Sequence, residues 1–383
     1  MTWPVLFAAF EVAALVDSLD FAGHYDIETA TGTVQVLERV LSTHPTCIYW
    51  RDKGGARVRY ASKEEYSPYE DDPLEKRRVV RQGMYGYLRQ ARATPDVFGL
   101  VRGECSRRGL VFGIHTTYEE NHRLSWSESN WNLAHPQFTC RTRSGEPCLS
   151  TCSLSYPEVM RHKLALVDER LALKPEVILL DMCRAGAWGV HREYVRPVCE
   201  RWRARYNCDP PADSGDERWI SLVAEDVSAY LRAFSERCHR AGVKFQLGVR
   251  AVEKEGDTMW RQYGIDWRRL AREGVFDDIV VMGVRPDRTR PFESTEEILR
   301  WARAECAPAG VWFNVSMYSM NYGVPMYCSW TKLSAGVVAE RMLESARRAG
   351  CSGVVLECVD FKNYPPDVCE ALSKANENER QRK

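Results

Sequence analysis

The chain has 383 residues, of which 44% are hydrophobic and 28% charged, and its 53 basic residues are balanced by 53 acidic ones. This length is compatible with one large core, because α/β barrels with long loops reach this size as one domain. A neutral chain without a basic block argues against a nucleic-acid partner or an anionic-membrane partner.

The N-terminal residues 1–10 are apolar, but they carry no positive charge, and Glu11 and Asp17 follow closely. We therefore expect neither a signal peptide nor a membrane span there. The cysteine content favours a cytosolic protein with reduced thiols. A chain whose signal had been removed would look the same, so the location stays open.

Fourteen cysteines are scattered along the chain without close Cys-x-x-Cys pairs. Only Cys140, Cys148 and Cys152 cluster, in a stretch rich in Ser, Thr and Arg. Free buried thiols are the simplest interpretation. A disulfide-stapled loop, or a metal site with a remote fourth ligand, is the alternative.

The chain alternates between short β-branched runs and longer amphipathic segments, a pattern typical of a parallel sheet with crossover helices. About eight runs occur, as a (β/α)₈ TIM barrel requires. The first is weak, and the predicted strands are 19–26, 46–51, 109–115, 177–181, 243–250, 278–284, 310–316 and 353–358.

Helices are predicted between these runs, over 33–41, in charged sequence up to about residue 107, and over 157–173. Two later helices end in glycine, at Gly242 and Gly350, directly before an apolar run. Together these features predict a single catalytic barrel over 1–375. The polar tail 376–383 has no apolar period and is expected to fray.

Long connections over 116–156 and 185–215 lie where a barrel carries its active-site loops. A doubly wound sheet is the competing architecture. It is disfavoured because no glycine-rich dinucleotide or phosphate-binding fingerprint follows the first strand.

Two carboxylates end predicted strands, and both continue the inward alternation of their strand. A carboxylate there is costly to bury unless it is paired or functional. We interpret Asp181, with Arg184 three residues later, as a nucleophile or base, and Glu357 as the proton donor. The alternative is a structural ion pair with an arginine such as Arg250 or Arg285.

The loop after the third strand concentrates donors, acceptors and acids, so we expect it to bind substrate and to offer Glu119 or Glu120 as a rival acid. Taken singly, each of these residues also fits a solvated loop. His24 and Asp26, at the end of the weak first strand, are similar candidates. The candidates on the loop are His115, Tyr118, Glu119, Glu120 and His122.

Twelve tryptophans and seventeen tyrosines are available to stack on the apolar faces of sugar rings. We expect two or three tryptophans to line the cleft and the rest to pack in the core. Those near strand ends or on long loops are Trp50, Trp126, Trp131, Trp188, Trp312 and Trp330. Candidates for contacts to sugar hydroxyls and other polar substrate groups are Arg184, Arg250, Asn314, Ser316 and Tyr318.

Three segments, 135–138, 155–159 and 179–184, carry a family resemblance. They read His-Pro-Gln-Phe, Ser-Tyr-Pro-Glu-Val and Leu-Leu-Asp-Met-Cys-Arg. They resemble the bacterial family-10-like glycosidase group, in which a hydrophobic–Asp–x–x–Arg fourth strand follows a His-Pro-Glu loop and a Tyr-Pro-Glu-Val helix start. Gln137 replaces the glutamate of that loop, which weakens the role of an acid there.

The resemblance follows the strand order over about 15–365, whereas its specific motifs lie within 135–184. It implies glycosidic-bond hydrolysis with Asp181 in the catalytic position. It does not identify the second carboxylate.

The sequence thus predicts a glycoside hydrolase that cleaves an oligo- or polysaccharide with two carboxylates, Asp181 with Glu357 or Glu119. We expect a carbohydrate as partner and no cofactor or metal, and a homo-oligomer stays open.

Two alternatives remain. One is a metal-dependent sugar isomerase or epimerase on the same barrel, whose ligands would be His24, His115, Glu119, Asp181 and Glu357. The other is a carbohydrate-binding barrel without activity, which keeps the tryptophans and needs neither acid.

Overall fold

The structure is a computed structural model. It describes residues 10–17, 21, 25–26, 29–54, 57–58, 60, 62–64, 96–118, 129–183, 188–250, 257–316, 323–357 and 366–381.

Eight parallel strands close into a barrel, in which each strand pairs with its neighbours in the chain and the last pairs with the first. The predicted (β/α)₈ TIM barrel is therefore confirmed. The strands are β1 Glu11–Val16, β2 Cys47–Arg51, β3 Val111–Thr117, β4 Val177–Asp181, β5 Lys244–Arg250, β6 Asp278–Met282, β7 Gly310–Ser316 and β8 Gly353–Glu357.

Helices connect the strands and cover the outside of the barrel. They are α1 Ala30–Leu41, α2 Val97–Arg107, α3 Asn130–Ala134, α4 Pro157–Ala172, α5 Arg196–Tyr206, α6 Glu217–Arg240, α7 Thr258–Tyr263, α8 Trp267–Arg272, α9 Pro291–Cys306, α10 Val324–Thr331, α11 Ala335–Arg348 and α12 Pro366–Gln381. Among the helices described, none is long and apolar enough to cross a membrane.

The helix ends follow local sequence chemistry. Pro157 occupies the first turn of α4, where its missing N–H costs no hydrogen bond. Gly242 and Gly350 follow α6 and α11 with φ angles of 68° and 74°, a left-handed conformation that favours glycine. The predicted glycine ends are confirmed. The last helix, α12, continues into the polar tail as far as Gln381, and fraying of that tail stays a prediction.

The position predicted for the first strand is wrong. The prediction was 19–26, whereas β1 is Glu11–Val16 and pairs with β8 and β2. Residues 12–16 are all buried, and a strand covered on both faces reads as a continuous apolar run. The segment 19–26 is interrupted by Asp20 and His24 and does not fit that pattern. The other seven strands overlap their predicted positions.

Two short antiparallel sheets lie outside the barrel. One pairs Lys53–Gly54 with Arg57–Val58. The other pairs Thr139–Arg141 with Pro147–Cys152, and we call it the 139–152 hairpin. It belongs to the long connection between β3 and α4.

Side chains fill the interior of the barrel. The Tyr49 hydroxyl donates to Gln246 Oε1 at 2.5 Å, and Gln246 Nε2 donates to Asp278 Oδ2 at 2.8 Å. A Cβ added at Gly113 would lie 2.6 Å from the Tyr49 ring, so glycine makes room for that ring. The interior is therefore a packed core. The apolar residues of this core are Ala13, Leu15, Cys47, Tyr49, Val177, Leu179, Val280, Met282, Trp312 and Val355.

A buried ion pair joins α4 to the barrel. Arg170 Nε donates to Asp52 Oδ2 at 2.5 Å, and both side chains are almost fully buried. The Asp52 backbone N–H donates to His115 O, which ties the pair to β3. Removing one partner would leave the other charge buried without compensation.

We predict that Arg170→Leu lowers the free energy of unfolding by about 3–5 kcal/mol, because the Asp52 carboxylate loses its partner. Arg205→Leu, which breaks the exposed pair with Glu225, should change it by less than about 1 kcal/mol. Urea denaturation measures both. Equal losses would contradict a special role for the buried pair.

Candidate active site

The carboxyl ends of the strands form one mouth of the barrel. Along each strand, every second residue points into the barrel. The inward-pointing residue at the carboxyl end of each strand therefore faces this mouth. In order around the barrel, these mouth residues are Asp17, Arg51, Thr117, Asp181, Arg250, Met282, Ser316 and Glu357.

Asp181 is the last residue of β4 and has 0% of its surface exposed. Its Oδ1 accepts a hydrogen bond from the backbone N–H of Cys183 at 2.7 Å, and such a bond to an amide stabilises a carboxylate. Its backbone carbonyl accepts from the N–H of Tyr118 at 3.2 Å. Asp181 is thus held by the two segments that follow β3 and β4.

His115 lies beside this carboxylate. Its Nε2 is 3.5 Å from Asp181 Oδ2, and both side chains are buried. The sequence marks His115 and Asp181 as separate candidates on neighbouring strands, and the structure brings them together. At this distance the Coulomb interaction between the imidazole and the carboxylate is direct.

Glu357 is the last residue of β8 and is 9% exposed. It is in register with Ser316 on β7. β8 stands four strands from β4 in either direction around the barrel, so Glu357 and Asp181 occupy opposite sides of the mouth. Arg250 ends β5, the strand next to β4.

Two buried polar atoms near the mouth have no hydrogen-bond partner among the residues that the structure describes. They are Thr117 Oγ1 on β3 and Asn314 Nδ2 on β7. Both residues belong to the inward alternation and are at least 96% buried. Buried polar groups are normally satisfied, so these two atoms are suited to bind a polar ligand or water.

A second pair of opposite charges lies at the mouth. Arg51 Nη1 donates to Asp17 Oδ2 at 2.6 Å, at the ends of β2 and β1. Sequence reasoning missed this pair because it placed the first strand too late. The rule that identified Asp181, a charge in the inward alternation at a strand end, finds both residues once β1 is correctly placed.

Glu193 is a buried carboxyl in the loop between β4 and α5. Its Oε1 accepts from Trp188 Nε1 at 2.8 Å, and its Oε2 accepts from Ser153 Oγ at 2.5 Å. Cys140 Sγ lies 3.4 Å from Oε1. Burial raises the pKa of the Glu193 carboxyl to about 7, against the opposing effect of these hydrogen bonds. Nothing in the local sequence predicts this, since Glu193 ends no strand.

Most of the aromatic candidates are packed in the core. Trp50 and Trp188 are each 1% exposed. Trp50 alternates out of the barrel interior and packs in the helix layer, a position that does not favour contact with a substrate. Trp312 lies in the barrel interior. Trp131 stacks on His162, with ring centroids 4.3 Å apart.

Several sequence candidates lie outside the described residues, and the predictions for them stay predictions. They are His24, Glu119, Glu120, His122, Trp126, Arg184 and Tyr318.

The clustered cysteines Cys140, Cys148 and Cys152 are buried, and no disulfide joins them. The structure therefore contradicts a disulfide-stapled loop. Burial raises the pKa of the Cys140 thiol well above its ordinary value, and Arg192 Nη1 lies 3.0 Å from Cys148 Sγ. In the part of the chain that the structure describes, no three His, Cys, Asp or Glu side chains are grouped to hold a metal ion.

No protein-family model matches this chain, and no curated protein sequence does. Solved structures do resemble it. The PgaB (BpsB) glycoside hydrolase domain from Bordetella bronchiseptica has 13% sequence identity and a TM-score of 0.61, over 95% of this chain and 98% of that domain.

A β-galactosidase from Marinomonas ef1 has 8% identity and a TM-score of 0.56, over 96% of this chain and 59% of that one. A class V chitinase from Pseudomonas fluorescens Pf-5 has 12% identity and a TM-score of 0.50, over 96% of this chain and 100% of that one. At such identities the likeness shows the fold alone, a TIM barrel shared with glycoside hydrolases.

We predict that Glu193→Gln reduces the dependence of stability on pH. The folded pKa of about 7 lies above the ordinary value of 4.5, so the stability that Glu193 contributes is complete below pH 4.5 and lost as pH rises through 7. Between pH 5.5 and 8.5 the wild type should lose about 2 kcal/mol relative to the variant.

Chemical denaturation at the two pH values measures this difference. Glu200→Gln, at an exposed carboxylate on α5, is the control and should follow the wild type. If Glu193→Gln also followed the wild type, the buried carboxyl would not titrate in this range.

Proposed function

We propose that this protein is a glycoside hydrolase that cleaves an oligo- or polysaccharide, with Asp181 and Glu357 as its catalytic carboxylates. The observation that carries the proposal is the position of these two residues, at opposite sides of the barrel mouth above a filled interior. Glycoside hydrolysis uses two carboxyl groups that flank the scissile bond.

The surroundings of the two carboxylates support different roles. The Cys183 N–H donates to Asp181 and favours its ionised form, which suits a nucleophile or a base. Glu357 is slightly more open to solvent and is assigned the role of proton donor to the leaving oxygen. The separation of the two carboxyl groups with substrate bound decides between retention and inversion of configuration.

Two polar atoms that have no partner among the described residues support a ligand rich in hydroxyl groups. Thr117 Oγ1 can donate and accept, whereas Asn314 Nδ2 donates. They stand on β3 and β7, on either side of the mouth, so a sugar bound between the carboxylates would satisfy both. The resemblance of segments 135–138 and 179–184 to family-10-like glycosidases agrees with this assignment, as does the shared barrel fold.

We expect Asp181→Asn and Glu357→Gln each to lower kcat on the best substrate of a glycan panel by at least about 100-fold, because each removes a proton-transfer or nucleophilic group. Glu200→Gln is the matched control at an exposed carboxylate and should retain full activity. Thermal unfolding of each variant verifies that it is folded.

The panel is measured with and without a chelator. Isomerisation or epimerisation of a free sugar that the chelator abolishes and a divalent ion restores, without glycan cleavage, would support the metal-dependent isomerase instead. A wild type that binds glycans but turns none over would support the binding barrel.

We expect Thr117→Val to raise KM by about three- to tenfold, as the loss of one hydrogen bond to substrate predicts. Thr116→Val is a matched control, because Thr116 is equally buried and its hydroxyl also has no partner in the described part of the chain, but it alternates away from the barrel interior. Steady-state kinetics on the same substrate measures both variants. An equal rise in KM for both would remove Thr117 from the substrate site.

A further inference from the structure

Glu193 connects three segments around the mouth. Through Oε1 it holds the indole N–H of Trp188 within the β4–α5 loop. Its Oε2 accepts a hydrogen bond from Ser153, which directly follows the 139–152 hairpin. The Cys140 thiol of that hairpin contacts Oε1. One carboxyl group thus fastens the β4–α5 loop to the β3–α4 connection.

Trp188 connects Glu193 to the candidate active site through its ring contacts. Its ring packs edge-to-face on Tyr118 with centroids 5.1 Å apart, and it stacks on Tyr263 at 5.8 Å with an interplanar angle of 11°. The Tyr118 backbone N–H donates to the carbonyl of Asp181. A continuous chain of contacts therefore runs from Glu193 through Trp188 and Tyr118 to Asp181.

We infer that Glu193 is a positioning residue for the candidate active site. Glu193 holds Trp188 against Tyr118 and thereby fixes the backbone at Asp181, and this effect depends on pH. Only the catalytic role of this site rests on the proposed function. The chain of contacts stands without it.

Protonation changes what Glu193 can do. The groups that bond it are neutral: an indole N–H, a hydroxyl and a thiol. A protonated carboxyl keeps Trp188 on Oε1 and donates its proton to Ser153 Oγ, which is 2.7 Å from Ser155 Oγ and can donate onward. Because none of these described partners is a cation, an ionised carboxyl would be a buried charge that they do not compensate, and this favours opening of the loop to water.

Other titratable and charged groups lie around Glu193, on the hairpin, at the start of α4, in the loop itself, and on α5 and α6. Arg201 forms an ion pair with Asp226, and Arg192 faces Cys148. The pKa of the Cys140 thiol is raised well above its ordinary value, so it stays protonated in the neutral range. Among the described residues, these groups include Cys140, Arg141, Cys148, Cys152, Tyr156, Arg192, Arg201 and Asp226.

The test is ¹⁹F NMR of the full chain labelled with 5-fluorotryptophan, without substrate, with Trp188→Phe used to assign the resonance. In the wild type we expect the Trp188 resonance to shift with a midpoint near pH 7, the pKa of Glu193. In Glu193→Gln it should stay constant, because glutamine retains a neutral acceptor for the indole. A constant wild-type resonance, or an unchanged titration in Glu193→Gln, would overturn the inference.

Ser153→Ala gives an independent readout if Glu193→Gln fails to fold. The Ser153 hydrogen bond lowers the pKa of Glu193, so its removal should move the midpoint above pH 7. A midpoint that stays in place or falls would contradict the contact.

Activity separates the inference from the proposed function. On a hydrolysed substrate, Glu193→Ala should lower kcat at least tenfold at pH 6, and Glu193→Gln should restore it. Full kcat in Glu193→Ala would overturn the positioning role. A protein that shows the NMR titration but hydrolyses no glycan refutes the hydrolase and leaves the coupling of Glu193 to Trp188 intact.

Discussion

The filled interior of the barrel is the constraint on which the other features depend. Tyr49, Gln246 and Asp278 form a hydrogen-bonded layer across it, and apolar side chains occupy the rest. Because the described interior is packed, the rim of residues above this layer is where the barrel can hold a ligand. The same strand alternation that packs the core places Asp181 and Glu357 on that rim.

Sequence periodicity accounts for most of the fold and for part of the site. β4 and β7 have the predicted bounds because their apolar runs are continuous and flanked by clear helix ends. β1 was misplaced because a short run at the start of the chain resembles other apolar segments. That error also hid the Asp17–Arg51 pair. Glu193 could not be predicted, since its burial depends on Ser153, forty residues away in sequence, and such contacts form only in the folded chain.

Buried acids in this protein are stabilised in two ways. Asp17 and Asp52 are each paired with an arginine, which compensates a buried carboxylate. The described groups that donate directly to Glu193 are neutral, and burial raises its pKa to about 7. Glu193 is the carboxyl through which a modest change of pH can reach the loops of the mouth.

The 139–152 hairpin and the β4–α5 loop share a buried carboxyl, and this has a consequence for how the loops of this barrel can be exchanged. Variation of the loops at the carboxyl ends of the strands allows the TIM barrel to support many chemistries. Here the hairpin supplies Cys140, Ser153 follows it directly, and the loop supplies Glu193 and Trp188. Replacing either segment alone would leave a buried acid or its donors unsatisfied, so the two segments would have to be transplanted together.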